Sequence, residues 1–160
     1  MTPRSPQQPR RKIEEGHHRA LVQFIKLTEG QLPELAFVKH TRNESSGGPK
    51  VTRRDRASGR MVEIPLDVIR GAELGVRAGV WDFEYLGRNR VPIDDKPAFF
   101  YAGLAIELKS DVGSLSPEQK TWRTHYLHNG WYTVVFRHHV DAAQFLVRWV
   151  GGNPNHFHFT

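Results

Sequence analysis

The 160-residue chain has no cysteine, which excludes disulfides, thiolate zinc sites, iron–sulfur clusters and cysteine nucleophiles. Long apolar runs are also missing: no window approaches about 18 consecutive apolar residues, so no membrane-spanning helix is expected. Glycines occur, but never as a phosphate-cradling P-loop or a Gly-x-Gly-x-x-Gly fingerprint, and no nucleotide cofactor is expected. There is no HExxH motif. The pairs His17-His18 and His138-His139, and His156 with His158, match no zinc spacing and read as solvated histidines. The first residues, MTPRSPQQPRRK, are basic with no apolar stretch behind them, so no secretory signal is expected and the cytoplasm is the expected compartment.

What is present is positive charge, unevenly placed. The net formal charge is +6. Residues 1–12 alone carry +4, and residues 42–60 carry another +4, leaving the remainder slightly acidic. Basic segments beside an acidic body point to a polyanionic partner, most simply nucleic acid. Hydrophobic residues make up 38% and aromatics 11%, enough to build one packed domain.

Residues 1–12, with three prolines, read as a disordered basic arm. An amphipathic helix is expected over Glu14–Leu27, with Glu14 and Glu15 at its positive end. A short strand follows at Ala36–Val38, then a long basic loop over 42–60. The pattern next predicts a helix over Leu66–Leu74, strands over Val80–Leu86 and Phe99–Leu108, and a helix opened by Ser116-Pro117-Glu118 and stopped at Asn129-Gly130. A strand over Trp131–Phe136 precedes a last helix capped by Asp141 and ended by Gly151-Gly152, with a tail over 152–160. The whole is a single α/β domain over 13–151, with a central mixed β-sheet flanked by helices.

Chemistry concentrates in the strand AIELK. Side chains alternate along a strand, so Ala105, Glu107 and Lys109 share one face and Ile106 and Leu108 the other. A carboxylate and an ammonium among apolar neighbours are costly to bury unless paired or coordinated. If the preceding strand, Val80–Leu86, which carries Asp82, lies alongside, Asp82, Glu107 and Lys109 converge at one end of the sheet. Two hard carboxylate oxygens, with the main-chain carbonyl of Leu108, suit Mg²⁺ or Mn²⁺, and the lysine can offset charge on a phosphate.

The segments GVRAGVWDFEYL and GLAIELKSDVGSLSPEQKTWRTHYLHNGWYTVVF resemble the virus-type replication–repair nuclease (VRR-NUC) family, a branch of the PD-(D/E)xK, restriction-endonuclease-like nucleases. The features that carry the resemblance are Gly75, Gly79, Asp82, Glu107, Lys109, Ser110, Ser116, Gln119 and Gly130. It is densest over residues 71–136. It implies that Asp82 and Glu107 are metal ligands, Lys109 the catalytic lysine, and Gln119 a residue steadying the active-site water or the lysine. It also implies an acid on the first helix, for which Glu15 is preferred over Glu14. His40 and Asn43 loosely match a His-x-x-Asn element that contacts the backbone or scissile region. Arg42, Lys50, Arg53, Arg54, Arg56 and Arg60 form the expected DNA grip. The sequence departs from the family in having Trp81 where a proline is common, and Trp81 is the aromatic expected to touch DNA.

The resemblance implies a Mg²⁺- or Mn²⁺-dependent DNA endonuclease acting on branched DNA such as four-way junctions. It would be a homodimer in phage-like replication, repair or recombination, placed in the host cytoplasm if phage-encoded. The alternatives are a non-catalytic nucleic-acid-binding module, and a nickase or end-processing nuclease of the same fold.

Overall fold

The computed structural model describes residues 7–41, 50–54, 58–65 and 79–159. Helix α1 spans Gln7–Thr28, so the helix begins inside the segment expected to be a disordered arm. Gln, Arg and Lys are good helix formers, and Pro9 falls in the first turn, where backbone N–H groups have no helical partner to lose. The earlier start moves Glu14 and Glu15 away from the helix terminus; no acid occupies the first turn. Leu21 and Ile25 are the buried anchors of α1.

A 3₁₀ turn over Pro33–Phe37 leads into β1, Val38–His40. The strand expected at Ala36–Val38 is therefore displaced, because Pro33 at the start of the turn pre-sets its φ and draws Ala36 and Phe37 into it. The expected loop over 42–60 contains β2, Lys50–Arg54, which pairs antiparallel with β3, Met61–Pro65. Val51 lies opposite Ile64 and Arg53 opposite Val62. Its many charges hide this period-two pattern from a composition-based reading. The expected helix over Leu66–Leu74 lies outside the described residues.

Strand β4 covers Phe83–Tyr85 and β5 covers Leu104–Leu108, both shorter than expected. Gly79 has φ +82° and turns the chain ahead of β4. Ahead of β5, Phe99 stands at φ +64°, and buried Asn89 organises the connection. Its amide donates to Val91 O and Pro97 O at 2.8 and 2.9 Å, and its Oδ1 accepts from Tyr101 N at 3.0 Å, which withholds that N–H from a sheet.

Helix α2, Pro117–His128, opens with a capping box: Ser116 Oγ accepts from Gln119 N, and Gln119 Oε1 accepts from Ser116 N. It supplies the crossover that the parallel pairing of β5 with β6, Tyr132–Phe136, requires. Helix α3, His139–Trp149, follows. His138, not Asp141, is its N-cap, and Asp141 lies in the first turn.

Among the described residues the main sheet has the order β1-β4-β5-β6, with β1, β4 and β5 antiparallel and β5 and β6 parallel. The chain is thus an α/β domain built on a mixed sheet. One face carries Phe83, Tyr85, Leu104, Ile106 and Leu108 against α1 and α3. On the other face Ala105 packs with Trp81 and Tyr126 beneath α2. All five residues of β5 are buried, so any charge on it sits between two layers. No described helix is long and apolar enough to cross a membrane.

Candidate active site

Phe83 pairs with Ile106, and one further step of that register brings Asp82 opposite Glu107. Asp82 Oδ2 accepts from Leu108 N at 2.8 Å, which fixes the carboxylate across the end of β5. Both acids are buried, Glu107 completely. Burying two like charges side by side is unfavourable unless other groups compensate. Lys109 Nζ lies 2.5 Å from Glu107 Oε1, and Gln119 Nε2 donates to the same oxygen. Glu107 Oε2 is buried with no hydrogen-bonding partner among the described residues.

The electrostatics follow from this crowding. Burial, reinforced by Asp82 and opposed by Lys109, pushes the Glu107 carboxyl up to about 7. For Lys109, burial favours the neutral amine, but Glu107, Glu14 and Asp82 outweigh it and raise its pKa. Lys109 is therefore a cation at neutral pH, held by acids from two directions.

Helix α1 completes the cluster with two residues one turn apart. Glu14 Oε1 lies 3.6 Å from Lys109 Nζ, and its Oε2 accepts from Ser110 N at 3.3 Å. His18 Nε2 lies 3.3 Å from Asp82 Oδ2. The helix-1 acid facing the site is thus Glu14, not Glu15. Glu15 pairs with Arg19 at 2.5 Å on the exposed side of α1, because adjacent helical residues diverge by about 100°. His18 was not anticipated. The available signal was the stripe Glu14, His18, Leu21, Ile25, in which two polar residues continue an apolar helical face.

Gln119 is brought in, but it contacts the acid Glu107 as well as capping its own helix. Gly79 abuts this first turn of α2 so closely that a Cβ there would lie 2.5 Å from Glu118 Cβ and 2.9 Å from Gln119 N. Trp81 does not reach solvent: it is fully buried, and its indole N–H donates to Gln119 O at 3.1 Å. It cannot serve as the expected DNA contact. Its work is to tie the residue before Asp82 to the helix that carries Gln119.

His40 is exposed beside the cluster, stacked on Phe83 with ring centroids 4.7 Å apart and 5.8 Å from His18. Lys50, Arg54 and Arg60 are exposed on or beside the β2–β3 hairpin. Lys50 pairs with Glu63 at 3.2 Å, and Arg54 Nε donates to Gly59 O at 3.0 Å. Arg53 lies in β2. Arg42, Asn43, Arg56 and Gly75 lie outside the described residues. The histidines expected to be solvated are not all so: His17 meets His138 and His139 between α1 and α3.

The donor set of the cluster is two buried carboxylates, one with an unpartnered oxygen. That set fits a hard divalent cation, which would remove the like-charge penalty and give the orphaned Oε2 a partner. No family model and no curated protein matches the chain. A solved structure described as a VRR_NUC domain protein is similar in fold, with a TM-score of 0.51 over 84% of this chain and 89% of that one, at 16% identity.

Proposed function

We propose that this chain, whose fold is similar to that of a VRR_NUC domain protein, is a metal-dependent DNA endonuclease. The observation that carries the reading is the buried pair Asp82 and Glu107, with Glu107 Oε2 unpartnered and Lys109 Nζ 2.5 Å from the other oxygen. Asp82, Glu107 and the main-chain carbonyl of Leu108 would hold Mg²⁺ or Mn²⁺. Such an ion supplies Lewis-acid polarisation of a phosphate oxygen and lowers the pKa of water.

The protein's own groups do the rest. Lys109 offers its ammonium to the negative charge that grows on phosphorus oxygens during in-line attack. A water oxygen bonds to phosphorus as the bond to the 3′ oxygen breaks; the water loses a proton and the leaving oxygen gains one. Gln119 orients Glu107, Glu14 holds Lys109 from the side of α1, and His18 steadies Asp82. His40, exposed beside the cluster, would meet the backbone near the scissile phosphate. Lys50, Arg53, Arg54 and Arg60, with Arg42, Asn43 and Arg56, supply phosphate contacts whose strength falls with salt.

The substrate we propose is branched DNA cut by a homodimer, since two sites related by a two-fold axis match a symmetric junction. The test is cleavage of labelled linear, flapped and four-way DNA by the purified protein with Mg²⁺ and Mn²⁺, alongside its mass in solution. Cleavage is expected to require the ion and to vanish in Glu107→Ala and Lys109→Ala. Full activity in either variant would overturn the mechanism, and equal cleavage of all three DNAs would overturn the preference for branches.

A further inference from the structure

Away from the carboxylates, three imidazoles converge where α1 meets the start of α3. His17 Nδ1 lies 2.9 Å from His139 Nδ1. The three ring centroids are 4.6 Å apart for His17 and His138, 5.1 Å for His17 and His139, and 4.5 Å for His138 and His139. One ring nitrogen from each residue lies within 4.8 Å of the other two. A tetrahedral zinc ion with bonds of about 2.0–2.1 Å holds its nitrogens about 3.4 Å apart, a spacing that falls between these values.

We infer that His17, His138 and His139 form a binding site for a borderline transition-metal dication, with zinc the best match, independent of the carboxylate centre. The ligand type decides the class of ion: imidazole nitrogens suit Zn²⁺, Ni²⁺, Co²⁺ and Cu²⁺, whereas Mg²⁺ and Mn²⁺ prefer oxygen. Partial burial and the two neighbouring histidines lower the pKa of His17, which favours its neutral, lone-pair form. His138 and His139 are consecutive and His17 comes from a helix 121 residues earlier in the chain, so the ion would clip α1 to α3. Asp111 is exposed and acts electrostatically on His17; a water or a carboxylate would complete a four-coordinate shell. Existing contacts must yield: Val140 N donates to His138 Nδ1 at 3.3 Å, a long hydrogen bond that an ion can displace, and the proton shared between His17 Nδ1 and His139 Nδ1 must leave if those nitrogens are the ligands.

The ion would fix the turn of α1 that also bears Glu14 and His18, and so brace the nuclease site without entering it. The test uses the full chain stripped with a chelator and titrated with Zn²⁺ against a chromophoric competitor in excess Mg²⁺. One zinc per chain is expected, and it should persist in Asp82→Asn/Glu107→Gln, which separates this site from the carboxylates, and in His156→Gln/His158→Gln. Outer partners of a metal ligand are alone worth about 10–100-fold in affinity, so His17→Gln and His139→Gln should each weaken binding by more than about tenfold. Unchanged zinc affinity in both variants, or its loss in the carboxylate double variant, would overturn the site. X-ray absorption of the wild-type zinc complex needs no variant to fold. Three imidazoles around the ion are expected, and a shell of carboxylate oxygens refutes the assignment.

Discussion

The indole N–H of Trp81 donates to the main-chain carbonyl of Gln119 at 3.1 Å, so the residue preceding one buried acid is tied to the residue that aligns the other. Trp81→Phe keeps most of the apolar volume but leaves that carbonyl without its side-chain donor. Loss of a buried hydrogen bond and of part of a large ring should destabilise the protein by about 1–3 kcal/mol, read from urea unfolding. DNA cleavage should fall as well, because both motif acids lose a shared reference. An unaltered unfolding midpoint would show that the bond is not structural.

Glu14 and Glu15 make a sharp contrast. Glu14→Gln removes a negative charge beside Lys109 and should reduce cleavage by about tenfold or more, without a matching loss of stability. Glu15→Gln breaks only an exposed pair with Arg19, an interaction worth less than about 1 kcal/mol, and should leave cleavage unchanged. The comparison is a rate measurement at saturating Mg²⁺; the reverse order of effects would place the wrong residue at the site.

Mg²⁺ should stabilise the folded state, since the acids proposed to bind it are assembled only there. Saturating ion is expected to raise the melting temperature by a few degrees, roughly what about 1–2 kcal/mol gives in a domain of this size. Asp82→Asn/Glu107→Gln should abolish that rise. A rise of the same size in the double variant would mean that the ion acts elsewhere.

Glu107 also makes the metal-free protein sensitive to pH. Its carboxyl, pushed up to about 7 from an ordinary 4.5, binds its proton more tightly in the folded state than in the unfolded chain. Between those values the folded state holds the extra proton, so stability falls as pH rises from about 4.5 to about 7 and levels off above. The contribution is of the order of 1–3 kcal/mol. Unfolding followed across this window should show the slope in the wild type, and a flatter profile in Glu107→Gln. Parallel profiles for the two proteins would refute the assignment.

The basic hairpin gives a prediction in salt. Removing one cation that neutralises a phosphate should reduce the slope of log affinity against log salt by about 0.9 on duplex DNA. Arg60→Ala and Lys50→Ala should each flatten it by roughly this amount, as measured by fluorescence anisotropy. Slopes identical to that of the wild type would remove the hairpin from the interface.

The motif strand and its neighbours were legible because their signals are local. Alternation along AIELK, the Ser-Pro-Glu-Gln helix start and the Asn-Gly stop each need only a few adjacent residues. What the sequence concealed depends on distance. Choosing between Glu14 and Glu15 required the rotation of α1 against the end of β5, where Ser110 lies 96 positions from Glu14 in sequence. The role of Trp81 required knowing that α2 covers it, and a Trp beside an acid looks the same whether it is inside or outside. His17 and His139 are separated by 122 positions, so no spacing rule could join them. The pairing of β2 with β3 was hidden differently: its exposed residues include Lys50, Arg54 and Glu63, whose charge mimics the composition of a loop.

Gln119 uses both ends of one amide: its oxygen closes the start of α2, and its nitrogen reaches the motif acid in β5. Nucleating this helix and aligning that acid are therefore a single chemical event, not two traits that can be tuned apart. An engineer could keep the oxygen with Glu at this position, but only by setting another anion against Glu107. Hydrophobic replacements would fray the turn and release the acid together. This amide couples the arrangement of the buried acids to the integrity of a secondary-structure boundary.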